Sequence, residues 1–225
     1  MDQLVKLDDL ANQIINCRLC PRLIDYIDQM SMKKPKRFQA QEYWNRPVPS
    51  FGDIKAKLLI IGLAPALNGG NRTGRMFTGD STGDWLIKAL YETGFANSPY
   101  SYSANDGLQL KDSYVTSAVK CAPPDNKPTL GEIDQCSKHL KNEIKLLRPH
   151  LKVIITLGNI ALNAFSRITT NKRLKFKHGA TYKICEDVNL IVSYHPSRRN
   201  TSTKVLTWSS WIEIFKEARR LIEIT

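Results

Sequence analysis

Apolar positions along this chain follow two periods that take turns. Residues 4–16 place Leu4, Leu7, Leu10, Ala11, Ile14 and Ile15 three and four apart, the stripe of an amphipathic helix. Lys57-Leu58-Leu59-Ile60-Ile61 is instead a short apolar run, and residues 113–120, Lys152–Leu157 and Asn189–Tyr194 read the same way, as buried strands. Between them the spacing predicts a helix from about Asp84 to Thr93, closed by Gly94. Thr129-Leu130-Gly131-Glu132 is a capping box opening a helix that stops before Pro149, and a shorter helix begins near Asn159. Tyr182–Cys185 forms one arm of a hairpin, and the last helix carries Trp208, Trp211, Ile212, Phe215, Ala218 and Ile222 on one face. Residues 31–53, punctuated by Pro35, Pro47, Pro49 and Gly52, read as loop, as does the glycine-rich stretch from Gly62 to Gly83.

Strands alternating with helices, without repeats or a linker, predict one α/β domain over residues 1–225. Its form is a three-layer sandwich with a central four-stranded, mostly parallel sheet. In such a sheet ligands bind beyond the carboxyl ends of the strands. The unusual residues of this chain fall there. Strand one runs into Gly62-Leu63-Ala64-Pro65-Ala66 and Gly69-Gly70-Asn71-Arg72-Thr73-Gly74, and strand two into Cys121-Ala122-Pro123-Pro124-Asp125-Asn126. Strand three ends on Gly158-Asn159, and strand four on His195-Pro196-Ser197-Arg198-Arg199-Asn200.

Composition narrows the function. Hydrophobic residues make up 42% and charged residues 24%, ordinary for a globular domain. No segment is apolar for long enough to span a membrane. Lysine and arginine outnumber acids 33 to 21, a net charge of +12. Charge alone decides little, but it is clustered in loops at Lys33–Arg37, at Arg72 and Arg75, and at Arg198, Arg199 and Lys204, which points to nucleic acid. Neither G-x-G-x-x-G nor G-K-[ST] is present, so a nucleotide cofactor is disfavoured. The glycines would instead let backbone N–H groups approach an anion or a flat ring. Phe77 is the aromatic of that loop. His195, at the end of an apolar strand, could donate a hydrogen bond to an oxygen gaining negative charge.

Four of five cysteines fall into two pairs, Cys17-x2-Cys20 and Cys121-x14-Cys136, each beside a proline turn. Four thiolates converging from two places suggest iron–sulfur or zinc. The N-terminus, Met1-Asp2-Gln3-Leu4-Val5-Lys6, has no long apolar leader, so a reducing compartment is expected. Cys185, left over in a predicted strand, is expected to be a buried, inert thiol.

Gly62–Ala66, the loop ending Arg75-Met76-Phe77-Thr78-Gly79-Asp80, and Tyr194-His195-Pro196-Ser197 resemble the two motifs of the uracil-DNA glycosylase superfamily. The cysteine pairs resemble its iron–sulfur branch. Ala66, the stretch from Tyr43 to Asp53, and His195-Pro196-Ser197 with Asn200-Thr201 resemble the type-B, family-five enzymes. The resemblance implies a [4Fe-4S] cluster on Cys17, Cys20, Cys121 and Cys136. Spacing also allows a zinc set of Cys17, Cys20, Cys136 and His139, which would orphan Cys121. It implies excision of a deaminated base that has been flipped from DNA. Phe77 would stack on the base, within a wall of Ala64 and Ala66, and His195 would stabilise the departing anion. Asp80, then Asn126, are candidates to position water, because Ala66 stands where sister families carry a polar residue. Arg72, Arg198, Arg199 and Asn200 would hold DNA. Ser117 occupies the place of an asparagine that reads the uracil edge in a sister family, so hypoxanthine or xanthine join uracil as expected substrates. The expected protein is a monomer, cytoplasmic and nucleoid-associated in a bacterium or archaeon. Two other classes stay open: a non-catalytic iron–sulfur nucleic-acid-binding module, and a zinc-stabilised interaction protein.

Overall fold

The computed structural model describes residues 3–169 and 174–224. Met1 and Asp2, read above for an apolar leader, lie outside it, as does the side chain of Leu4. Helices α1 (Gln3–Ile15) and α2 (Pro21–Ser31) lead the chain, followed by a short strand β1 (Phe51–Gly52) and then β2 (Leu58–Gly62). The glycine-rich segment holds one helical turn, α3 (Gly70–Thr73), before α4 (Ser81–Glu92) and β3 (Ser113–Ser117). Then come α5 (Leu130–Leu147), β4 (Val153–Leu157), α6 (Asn159–Thr169), β5 (Thr181–Cys185), β6 (Val188–Ser193), α7 (Arg198–Ser202) and α8 (Trp208–Glu223).

The sheet has six strands in the order β1-β3-β2-β4-β6-β5. The four expected strands form its parallel centre, with Ile60 opposite Val115 on one side and Ile155 on the other, and Ile155 opposite Ile191. The difference from four lies at the edges, where β1 and β5 pair antiparallel with β3 and β6. Strand β1 escapes a sequence reading because it is two residues long. Gly52 is needed there, since a Cβ would overlap the Ser113 carbonyl oxygen.

The central strands bury both faces, so apolar residues run without alternation. Leu58 and Ile60 face a core shared with Leu86, Leu90, Trp211 and Phe215 of α4 and α8. Leu59 and Ile61 face Leu140, Leu147, Leu162 and Phe165 of α5 and α6. The capping box is present, with Thr129 N–H donating to Glu132 Oε2 at 2.7 Å and Glu132 N–H to Thr129 Oγ1 at 3.2 Å. Helix α2 went unread; Pro21 opens it and Leu23 and Ile27 are its buried residues, too few for a stripe. Cys185 is exposed, contrary to expectation, because β5 is an edge strand whose alternate side chains face solvent.

Candidate active site

The carboxyl ends of β2, β3 and β6 open into a crevice of about 680 Å³, a volume suited to one small ring system. Its lining brings together Ala64, Ala66, Phe77, Asp80, Asn126, His195, Arg198 and Arg199 from four separate loops.

Phe77 is seated by glycines. Its ring lies over Gly62, where a Cβ would stand 2.6 Å from Cζ, and its carbonyl lies against Gly83, where a Cβ would overlap it. Its φ is +51°, the left-handed region that aromatic residues rarely enter. Such strain persists where the surroundings over-determine it, and it clusters at functional sites. Asn126 and its neighbour Asp125 share this conformation, at φ +56° and +52°.

Asp80 is the N-cap of α4. Its Oδ1 accepts from the N–H groups of Thr82 and Gly83 at 2.9 and 3.0 Å. That leaves Oδ2 beside Gly69, where any Cβ would overlap it. Burial pushes this carboxyl above the ordinary range, opposed by the two N–H donors and by Arg72 and Arg198. The helix begins three residues earlier than the apolar pattern suggested because this cap, not a hydrophobic residue, sets its start.

His195 follows β6 and packs against Gly158, where a Cβ would lie 3.4 Å from its own. Loss of hydration pulls its imidazole down to about 4, so the ring is neutral at physiological pH. Among the described residues nothing hydrogen-bonds the ring. The loop itself is fixed: Asn200 Nδ2 donates to the His195 carbonyl at 2.8 Å, and Ser197 Oγ caps α7 by accepting from Asn200 N–H at 3.4 Å. His178 Nδ1 accepts the Tyr194 N–H at 3.2 Å while its ring stacks on Tyr194.

Several expected residues lie elsewhere. Ser117 is buried and donates to the Val119 carbonyl at 2.8 Å, so its hydroxyl is turned inward rather than toward a base. Arg75 is withdrawn from the basic surface: it pairs with Asp106 at 2.7 Å and donates to Thr78 Oγ1 at 2.9 Å. Arg72 ties loops together, donating to Asn68 O, Gln41 Oε1 and Gly79 O at 2.8, 2.8 and 3.0 Å. Asn200 holds the histidine loop through its amide nitrogen. Arg198 and Arg199, by contrast, are exposed at the crevice mouth. Residues the sequence reading passed over include Thr82, whose hydroxyl reaches the Pro196 carbonyl at 3.5 Å and links the two motif loops. An Asp-Ser-Thr-Gly run opening a helix was the available signal.

The four cysteines form no disulfide among the described residues and line one small recess between α2, α5 and the segment after β3. His139 lines it too, buried and held down to about 4, its Nε2 without a hydrogen-bond partner among the described residues. Burial first, then the neighbouring thiols, raise Cys121 strongly; burial carries Cys136 to about 11 against the pull of Lys120. Lys120 N–H donates to Cys136 Sγ at 3.3 Å. Its ammonium is buried against Glu143 at 2.9 Å.

The Uracil DNA glycosylase superfamily matches residues 49–218, a span holding the whole crevice. The chain is 43% identical to a type-5 uracil-DNA glycosylase of Pyrobaculum aerophilum, over 94% of this chain and 91% of that one. It is 41% identical to one of Mycobacterium leprae, over 97% and 96%, and 44% identical to one of Thermus thermophilus, over 91% and 93%. The chain belongs to the uracil-DNA glycosylase superfamily, and within it to the type-5 uracil-DNA glycosylases.

Proposed function

We propose that the chain is a DNA repair hydrolase that removes uracil, and with it hypoxanthine and xanthine, from DNA and leaves an abasic site. The observation that carries this reading is the convergence of a strained aromatic, a neutral histidine and a capped carboxylate in one crevice with an arginine mouth. The named activity of the type-5 relatives argues against the non-catalytic alternative.

A base stacked in the duplex is out of reach, so the nucleotide must swing out, at a cost of roughly a few kcal/mol. Phe77 offers the flipped ring a face. The C1′–N bond then breaks with its electron pair leaving on the base. The single N–H of neutral His195 donates to the oxygen where that charge gathers, stabilising it in a desolvated site. Water adds to the sugar cation at C1′, and its proton passes to Asp80, whose raised pKa improves it as an acceptor. Asn126 stands at the same crevice and can orient that water. Ala66 takes no part. With Ser117 turned inward, neither residue reads a base edge, which leaves room for purine substrates.

Cys17, Cys20, Cys121 and Cys136 would hold a [4Fe-4S] cluster, which when bound supplies a structural tie rather than chemistry at the crevice. An all-sulfur set, with Cys121 and Cys136 buried where thiolates are costly, fits a cationic iron centre. The zinc set with His139 would leave Cys121, which lines the same recess, without a role. Iron and sulfide analysis of anaerobically purified protein should give about four of each per chain. Zinc at one per chain would contradict it.

The test of function is single-turnover release of free base from duplexes carrying uracil, hypoxanthine or xanthine. Release of uracil supports the reading. If cluster-loaded protein releases none of the three, the binding-module reading takes its place.

A further inference from the structure

Two tyrosines stand out from the surface beside the Phe77–Asp80 segment. Tyr100 and Tyr102 are 59% and 62% exposed, and their rings stack with centroids 5.5 Å apart and planes 14° from parallel. Ser101 between them is fully buried. The loop that carries them is closed at its neck by the Ala96–Leu110 bridge and by Asn97 N–H donating to the Gln109 carbonyl at 3.1 Å.

That loop is fastened to the Phe77–Asp80 segment. Gly79 N–H donates to the Ser101 carbonyl at 2.9 Å, and the Ser101 hydroxyl meets Thr78 Oγ1 at 2.8 Å and Arg75 Nη2 at 3.0 Å. Asp106, paired with Arg75, also accepts the N–H groups of Tyr102 and Ser103 at 2.7 and 3.2 Å. A buried ion pair adds little stability compared with apolar packing. Here it holds two aromatic rings out in water, where exposed apolar surface marks a contact site.

Tyr102 lines a second recess of about 470 Å³ with Arg37, Phe38, Asp80 and Arg198. Asp80 and Arg198 also line the catalytic crevice, so the two share a wall. Phe38 carries Arg37 at 4.6 Å and Arg72 at 4.2 Å over its ring. Asp80 and Asp84 in the lining repel a phosphate from the interior. The Tyr102 ring at its wall and Arg37 and Arg198 alongside suit a nucleobase within and its phosphate at the rim.

We propose that the recess between Tyr102 and Phe38 is a second nucleoside site. It takes the base adjacent to the flipped nucleotide on the same strand. This rests on the glycosylase reading: once a nucleotide occupies the crevice, its covalent neighbour is the base that can reach across the shared wall. Stacking carries no sequence information, so the site accepts any base and rewards a strand already splayed from its duplex.

The test is a chemical double-mutant cycle on affinity, read by fluorescence anisotropy. Duplexes carry an uncleavable 2′-fluoro uridine analogue, with the base on each side of it in turn replaced by an abasic tetrahydrofuran. For wild-type protein, removing one neighbouring base weakens binding about tenfold, whereas for Tyr102→Ala the same removal costs less than about twofold. Tyr102→Phe keeps the wild-type pattern. Equal losses in wild type and Tyr102→Ala overturn the proposal. Coupling that appears only with an abasic site opposite the uracil analogue assigns the recess to the other strand and overturns it as well. Base release from an ordinary uracil duplex is measured on the same preparations. A wild type that releases no base fails the parent reading, whereas absent coupling in an active enzyme fails only the second site.

Discussion

At the scale of single residues, the proposed reaction turns on the protonation state of His195. Burial holds the ring down to about 4, below the ordinary 6.5 or so of the unfolded chain. The ring is therefore already neutral throughout the range above about pH 5, and the single-turnover rate should show no histidine step between pH 5 and 8. A rate that falls with a midpoint near 6.5 as pH rises would mean that imidazolium is the working form. The same shift bears on stability. Between about pH 6.5 and 4 the unfolded chain takes up a proton that the folded crevice refuses, so stability is full above 6.5 and declines as pH falls toward 4. Thermal melts of a His195→Asn variant should lose part of that decline. That His195 and Phe77 would line the crevice was legible because each interrupts a pattern, one ending an apolar strand and one standing alone in a glycine run. Ser117 and Arg75 misled for the converse reason. Nothing local tells whether a hydroxyl turns toward Val119 O or a guanidinium finds Asp106, thirty-one residues away.

At the scale of elements, Asp80 does two jobs that substitution can separate. It caps α4 through Oδ1 and faces Gly69 with Oδ2. Asparagine caps helices as well as aspartate does. Asp80→Asn should therefore keep its denaturation midpoint near wild type while slowing base release. Asp80→Ala should lose both, with about 1 kcal/mol of stability going with the cap. Equal destabilisation by the two variants would show the carboxylate's charge, not its cap, to be the stabilising feature. The helices and central strands could be read from the sequence wherever one face stayed apolar over several turns or an apolar run sat between turn residues. Strand β1 and helix α2 could not be read: one holds two residues and the other buries only Leu23 and Ile27, and their order comes from pairing with β3 and packing over the cysteines.

At the scale of the molecule, charge and the cysteine recess act over the longest distances. With Arg75 withdrawn into an ion pair and Arg72 tied to three loops, the proposed phosphate-binding surface is Lys33–Arg37 and Arg198–Lys204, and Arg37 and Arg198 line one recess. If about four phosphates are neutralised, log K for duplex DNA should fall against log salt with a slope of about −3.6. A flat response would leave the net charge of +12 as solvated surface. A cluster on the four cysteines would link the α1–α2 corner to α5 and the segment after β3. Their pairing was legible from spacing, whereas the buried Lys120–Glu143 pair beside them was not, since a lysine closing a strand ordinarily faces water.

Base release by His195→Ala tests most directly whether the crevice works by stabilising the departing anion. Losing one preorganised donor at a developing anion costs about 10²–10³ in rate, or roughly 2.7–4 kcal/mol. Single-turnover release of uracil from a duplex, with affinity for the same duplex measured in parallel, should show that loss in rate with binding retained. A His195→Ala protein that releases uracil as fast as wild type would contradict the assignment of the anion-stabilising group.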